Sequence, residues 1–267
     1  MNSRTCSRCN LESGRTFWNK QGTRFSRSFA GAPTTNLYLE EEQRLFRKYF
    51  LNIKGKKVLK LDLWNEAQNT EILLWAAREG ADCYGLDIAE TTARKARSRS
   101  LNERITMQVI IGDAVSLPFD GNTFDYIYTM GTLEHLPMPE KAFAELARVL
   151  KPGGVGIIGV PNIFDPFLFS VASKILQRFQ MYPYGYERWY TNRELKCLVE
   201  NTGLHATHDD GILLLPWFVR FLDLYLWQKF PWACRLTSFM VKPFRFLTSL
   251  PWLVRHYGYL TVCVAEK

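Results

Sequence analysis

Val58-Leu59-Lys60-Leu61-Asp62-Leu63-Trp64-Asn65-Glu66 opens a series of short motifs that decides the fold. It is followed by Gly85-Leu86-Asp87-Ile88, Gly112-Asp113-Ala114, Leu133-Glu134-His135-Leu136 and Leu150-Lys151-Pro152-Gly153-Gly154. Each motif sits at the end of an apolar run or at the start of a helical one. That is the layout of a nucleoside-binding α/β domain, in which loops at the carboxyl ends of parallel strands converge on one crevice. The first loop lacks the glycines expected there.

Outward from this series, the pattern alternates strands and helices. Residues 57–63 read as a strand, 66–79 as a helix stopping at Gly80, 83–88 as a second strand and 90–101 as a basic helix. Strands at 105–111 and 124–129 follow, then a helix at 139–150 with Pro139 at its first position, then an apolar strand at 155–160. Residues 38–50 read as a helix leading into the sheet. Thr191-Asn192-Arg193-Glu194 has the form of a capping box and opens a helix ending before Gly203. Strands at 205–214 and 258–264 close the chain, with a long insertion between them. Such alternation predicts right-handed βαβ units and a mostly parallel sheet covered on both faces.

The 267 residues suit a single α/β domain with insertions. The net charge of +8 favours anionic surfaces such as phospholipid headgroups, phosphate-bearing substrates or nucleic acid. The excess lies at two places. Residues 1–35 hold six basic side chains against Glu12, and residues 217–257 hold six against Asp223. The first of these lacks periodicity and reads as a basic flexible arm, leaving 36–267 as the folded domain. Cys6-Ser7-Arg8-Cys9 has the spacing of half a zinc knuckle, but no second pair accompanies it, so no metal site is expected. The scattered cysteines suit a reducing compartment, and no secretory signal is visible, which points to the cytoplasm.

Asp87 ends the second strand, where a carboxylate accepts hydrogen bonds from both ribose hydroxyls of a nucleotide. A helix N-cap is the structural alternative. Asp113 could accept from an adenine amino group or simply form a turn.

The run GDAVSLPFDGNTFDYIYTMGTLEHLP (112–137), followed by ELARVLKPGGVGIIGVPN (145–162), is similar to motifs of the class I S-adenosylmethionine-dependent methyltransferases of small-molecule type. YGLDIA (84–89) resembles their ribose motif. The resemblance covers about residues 50–210, with a family-like last strand. It implies a Rossmann-like seven-stranded sheet with an antiparallel last strand and S-adenosyl-L-methionine as cofactor. By position it places Asp87 and Ile88 at the ribose and adenine, Asp113 and Ala114 at the adenine edge, and Met130 and Gly131 at the methionine end.

The departure is the first motif, where the family has an acidic residue followed by a Gly-x-Gly-x-Gly turn whose bare backbone lets the cofactor approach. Asp62 is assigned the acidic position, because shifting the match by two puts Lys60 there. Asn65 and Glu66 would then hold the cofactor's ammonium and backbone, with Trp64 beneath. The rival is a decayed site in a catalytically inactive scaffold that docks on a membrane or a partner protein. A dinucleotide oxidoreductase is disfavoured by the absence of Gly-x-Gly-x-x-Gly.

A methyltransferase needs no nucleophile of its own, only alignment and, for a poorly ionised acceptor, a base. His135 is the candidate for that base, with a capping role as its alternative. Residues 161–190, rich in aromatic side chains from Tyr182 to Tyr190, read as a substrate-side insertion. Residues 217–257 interleave aromatic and basic side chains, and a helix from Trp217 would be too apolar for a free surface. That composition suits either an anionic membrane surface or a cap over the substrate. The reading is a methyltransferase for a small-molecule or lipid-linked acceptor, peripheral at the membrane, with no specific nucleic acid partner.

Overall fold

In the computed structural model, residues 7–25 and 27–267 are described. Seven strands form one sheet in the order β3-β2-β1-β4-β5-β7-β6. They are β1 (Lys57–Leu61), β2 (Asp82–Asp87), β3 (Gln108–Ile111), β4 (Phe124–Met130), β5 (Leu150–Pro161), β6 (His205–Ile212) and β7 (Leu260–Glu266). The first five run parallel, and β7 is antiparallel to both β5 and β6. The strand order reverses about β1 and β4, and a ligand crevice is expected at such a switch point.

Side chains alternate between the two faces of each strand. Leu59 and Leu61 of β1 therefore join one core with α6 (Pro139–Val149) and α8 (Asn192–Glu200), through Phe143, Leu146, Leu195 and Val199. Val58 joins the opposite core with α2 (Pro33–Tyr49), α4 (Ile72–Arg78) and α5 (Glu90–Asn102), through Leu45, Phe46, Ile72 and Ala93. Each such fully buried Leu, Ile or Phe contributes roughly 1.5–3 kcal/mol. Lys60, on the Val58 face, is as buried as the leucines beside it, with 1% of its surface exposed. Thr191 and Glu194 form the expected capping box at the start of α8.

Several elements differ from the sequence reading. The helix expected over 66–79 is two, α3 (Trp64–Gln68) and α4, separated at Glu71, whose φ of 65° no continuous helix accommodates. The helix expected from Tyr38 starts at Pro33, because proline at the first turn pre-sets φ. The stretch expected to be a flexible arm contains α1 (Ser7–Gly22). Asn19 fixes it to the start of α5, its Oδ1 accepting from Thr91 N at 3.0 Å, while Lys95 Nζ donates to the Gly22 carbonyl at 2.7 Å. The aromatic side chains Phe17, Trp18, Phe25 and Phe29 give this otherwise polar stretch something to pack. Cys6, and with it the paired-cysteine spacing, lies outside the described residues.

The insertion before β7 is three helices: α9 (Trp217–Lys229), α10 (Cys234–Thr248) and α11 (Pro251–Tyr257). Its single acid, Asp223, is wholly buried and accepts from Thr34 N at 2.8 Å and Thr34 Oγ1 at 2.6 Å, at the amino end of α2. An anion there satisfies unpaired helix N–H groups, so Asp223 pins the insertion to the domain. A further helix, α7 (Phe169–Arg178), follows β5. Among the described residues no helix is long and apolar enough to cross a membrane.

Candidate active site

The parallel register sets Leu61 beside Leu86 on one side and Thr129 on the other. The residues after these strand ends, Asp62, Asp87 and Met130-Gly131, therefore meet at one place. Asp62 N donates to the Leu86 carbonyl at 2.8 Å. Gly85 makes the fit possible, since a Cβ there would lie 2.3 Å from Leu63 Cδ2.

Asp62 is where the sequence assignment changes. Its φ is 67°, the left-handed region that glycine adopts freely and other residues rarely. Asp62 thus stands at a glycine position of the turn and not at the acidic one. Counting back two residues, Lys60 stands where the acid is expected, and Trp64 and Glu66 take the remaining glycine positions. The charge order is reversed, and the loop is rebuilt around that reversal. Lys60 Nζ pairs with Glu66 Oε2 at 3.1 Å in full burial, and it also donates to the Asp62 carbonyl. Burial opposes the charge on Lys60, but Glu66, Asp62 and Glu42 hold its ammonium above the ordinary value. Glu66 Oε1 accepts from Leu73 N at 2.9 Å, serving the open amino end of α4.

Asn65 and Glu66, expected to hold a cofactor, are therefore turned into the protein. Asn65 Nδ2 donates to Glu42 Oε1 at 3.0 Å, and the same oxygen accepts from Tyr128 OH at 2.8 Å. What remains on the crevice side is Asp62 with half-buried Trp64. Burial, together with the neighbouring Asp62 carboxyl, pushes Asp87 up to about 7. Both oxygens of Asp87 also accept from backbone, Leu63 N at 2.8 Å and Ala89 N at 2.7 Å. The N-cap of α5 is Ala89, with no side-chain cap bond, so Asp87 ties down the turn before α5 and does not cap it.

Asp113 forms a turn through Val115 N at 3.1 Å, and Ile88 and Ala114 are half-buried near it. Met130 is buried with its sulfur against Gly159, so it forms the floor and not a contact surface. Gly131 follows with φ 73° and no side chain, and Thr132 Oγ1 has no partner.

His135 lies in a 3-10 turn, Leu133–His135. Its Nδ1 meets the Tyr186 carbonyl at 2.7 Å, and the Trp18 ring packs edge-on at 4.9 Å. A carbonyl partner requires the proton on Nδ1 and leaves Nε2 bare. Burial lowers this histidine to about 4, so it is neutral at ordinary pH. Three groups were given no role in the sequence reading: Lys60, Glu134 and Glu187. Lys60 left a signal as a lone cation inside an apolar strand and Glu134 stood within the Leu133-Glu134-His135-Leu136 motif, whereas Glu187 left none.

Residues 52–158 match the family described as the methyltransferase domain. The demethylmenaquinone methyltransferase of Staphylococcus carnosus is 32% identical over 126 residues, 46% of this chain and 52% of that protein. The ubiquinone biosynthesis O-methyltransferase of Burkholderia multivorans is 31% identical over 147 residues, 53% of this chain and 63% of that one. The chain thus spans about half the length of the first of these relatives. Among solved structures, the Haemonchus contortus phosphoethanolamine N-methyltransferase 2 in complex with S-adenosyl-L-methionine shares the fold, with a TM-score of 0.60 at 15% identity. The alignment covers 88% of this chain and 56% of that one. Residues 52–158 are thus a methyltransferase domain of the class I, S-adenosylmethionine-dependent kind, set between a helical N-terminal segment and a C-terminal helical insertion.

Proposed function

We propose that the chain methylates a small, lipid-like acceptor with S-adenosyl-L-methionine as donor, at an anionic membrane surface. The observation that carries this reading is the convergence of Asp62, Asp87, Gly131 and Thr132 at the switch point of a methyltransferase sheet. The bare backbone of Gly131 and the unpartnered Thr132 hydroxyl fit the amino-acid end of the donor, and Asp87, Ile88, Asp113 and Ala114 fit its adenosine. The fit departs at Asp62, a second carboxyl whose charge acts on the one that a ribose would use.

When bound, the donor supplies an already activated methyl group, so the protein's part is alignment and exclusion of water. Trp18, Trp64 and Phe25 roof the crevice and serve that exclusion, Phe25 and Trp64 meeting at 6.0 Å. Support for a lipid-like acceptor comes from the quinone-pathway names of the relatives and from the surface. Segments 162–182 and 217–257 hold 18 of the 23 exposed large apolar side chains among the described residues. Both of their acids, Asp165 and Asp223, are buried, whereas Lys174, Arg178, Lys229, Arg235, Lys242 and Arg245 are exposed. An apolar face whose own exposed charges are all basic, Arg245 being paired with Glu40 at 3.0 Å, suits an anionic lipid surface, where each unpaired cation contributes about 1 kcal/mol.

Calorimetric titration with S-adenosyl-L-methionine tests the enzyme reading. Saturable binding supports it, while no binding up to about 1 mM, a limit of about −4 kcal/mol, leaves the silent scaffold. The absence of all three glycines is the observation on that second side. Sedimentation with phosphatidylserine-containing vesicles at low salt tests the surface, and binding no better than to neutral vesicles defeats it.

A further inference from the structure

Beside the donor crevice lies a polar cluster that the donor does not explain. Arg188 N donates to the Glu134 carbonyl at 3.1 Å, which draws Glu187 alongside Glu134. Both carboxyls are buried, at 2% and 6% exposure. Glu187 Oε2 accepts from Tyr182 OH at 2.6 Å, but Glu187 Oε1 and Glu134 Oε2 have no partner. Two nearby groups are also orphaned, the indole N–H of Trp189 and the hydroxyl of Tyr190. Buried polar atoms are ordinarily satisfied, so such a concentration of open ones is a concentration of unspent hydrogen-bonding capacity.

The chain's own cations do not fill it. The Arg188 guanidinium stacks over the Tyr190 ring at 4.7 Å and reaches out to Glu194 at 3.6 Å. His135 Nε2 approaches Glu134 Oε1 only to 3.9 Å, in a ring held neutral. Lys60 is committed to Glu66. Among the described residues no lysine or arginine pairs with Glu134 or Glu187. The surroundings are instead aromatic: Tyr182 and Tyr184 at 5.6 Å, Trp189 and Tyr259 at 5.8 Å.

Two acceptor-rich carboxyls beside aromatic rings, neither carboxyl paired with a lysine or arginine among the described residues, suit a cationic ligand. A neutral carbonyl could use only the Trp189 N–H and the Tyr190 hydroxyl and would leave the open oxygens of both carboxyls without a donor. A protonated amine brings N–H donors to the open oxygens and a positive charge to the ring faces. We infer that Glu134, Glu187 and the aromatic walls formed by Tyr182, Tyr184, Trp189 and Tyr259 make an acceptor subsite for a protonated amine. This rests on the methyl-transfer reading and narrows its acceptor to an amphiphile with a basic nitrogen.

The test is direct binding to the full chain of 2-phenylethylamine against its neutral counterpart 2-phenylethanol, with and without saturating S-adenosylhomocysteine. The amine is expected to bind at least tenfold more tightly, with the preference undiminished by S-adenosylhomocysteine. Glu187→Gln and Glu134→Gln should each cut the preference about tenfold and leave alcohol binding unchanged. Gln keeps an acceptor for Tyr182 and stands in for a carboxyl that burial already pushes toward its neutral form, so both variants should melt no lower than the parent. Equal affinity for amine and alcohol overturns the inference. Displacement of the amine by S-adenosylhomocysteine also overturns it, because the ammonium bound there would then be the donor's own. If the amine preference holds while S-adenosyl-L-methionine itself fails to bind, the subsite stands and the methyltransferase reading falls.

Discussion

Two acidic regions face the same crevice, and they handle their buried charge in opposite ways. After β1, Lys60 neutralises Glu66, Leu73 N takes the other Glu66 oxygen, and Asp62 and Asp87 accept from backbone N–H groups. After β4, Glu134 and Glu187 each keep an oxygen with no partner. The first region has its own buried cation, and among the described residues no lysine or arginine pairs with the carboxyls of the second. Structural demand is concentrated in the former and ligand chemistry in the latter, although sequence motifs alone suggest the reverse.

The largest effect is expected from breaking the first region. Lys60→Met removes the cation that Glu66, Asp62 and Glu42 surround, and an uncompensated buried carboxylate costs about 3–5 kcal/mol. Urea unfolding measures it. A loss under about 1 kcal/mol would show that the ion pair is incidental. Lys60→Met combined with Glu66→Leu should recover part of the loss, because the charge leaves with its partner. The recovery is incomplete, since Leu73 N then lacks its acceptor.

Next in size is a pH dependence. Burial pushes Asp87, Glu42 and Glu187 up to about 7 and Glu41 up to about 8. Unfolded, these carboxyls ionise near their ordinary values of about 4. Between about pH 4 and 8 the native state therefore binds more protons than the unfolded one, and stability falls as pH rises. Asp125, Asp210, Glu145 and Glu194 are shifted down and act oppositely, their contribution being lost only in the acid range. Unfolding free energy should decline from pH 5.5 to 8, each proton setting a limit of about 1.4 kcal/mol per pH unit. Asp87→Asn and Glu187→Gln should each flatten the slope by one proton's share. A slope that rises over this window contradicts the protonated interior.

Asp62→Gly sharpens the comparison from the other direction. It restores the residue that φ 67° favours, worth about 1 kcal/mol, and frees Asp87 from a second carboxyl. S-adenosyl-L-methionine should bind roughly tenfold more tightly, a gain of about 1.4 kcal/mol. Unchanged binding would mean that Asp62 lies outside the donor's path.

The sheet was legible in the sequence because period-2 apolar runs and turn glycines fix strands locally, from Val58 through Val160. The antiparallel close of the sheet came through the resemblance. The first loop was misassigned because a one-dimensional match treats Asp62 as an acid, whereas its backbone conformation treats it as a glycine. Lys60 was passed over for a related reason, since its partner Glu66 approaches only once α3 folds back. Glu134 was visible within its motif, but Glu187 lies 53 residues further on, in a loop without periodicity. Helix α1 was hidden by its polar composition, which looks disordered until Asn19 and Lys95 meet α5.

The smallest effect concerns the residue that sequence reasoning ranked first. A general base works best with a pKa near the working pH, and removing one costs about 10²–10⁴ in rate. His135 is held near 4 by burial, its Nδ1 proton is committed to the Tyr186 carbonyl, and its bare Nε2 faces a carboxyl. At neutral pH its proton affinity is too low for that role. Its contribution is to fix the 182–190 segment over the crevice, which a side-chain amide can imitate through its N–H. His135→Gln should accordingly lower turnover, read as S-adenosylhomocysteine release, by less than about tenfold, and leave the shape of the pH profile unchanged. A hundredfold loss in turnover with KM constant would restore His135 as the base, and would move the chemistry off the Glu134 and Glu187 carboxyls.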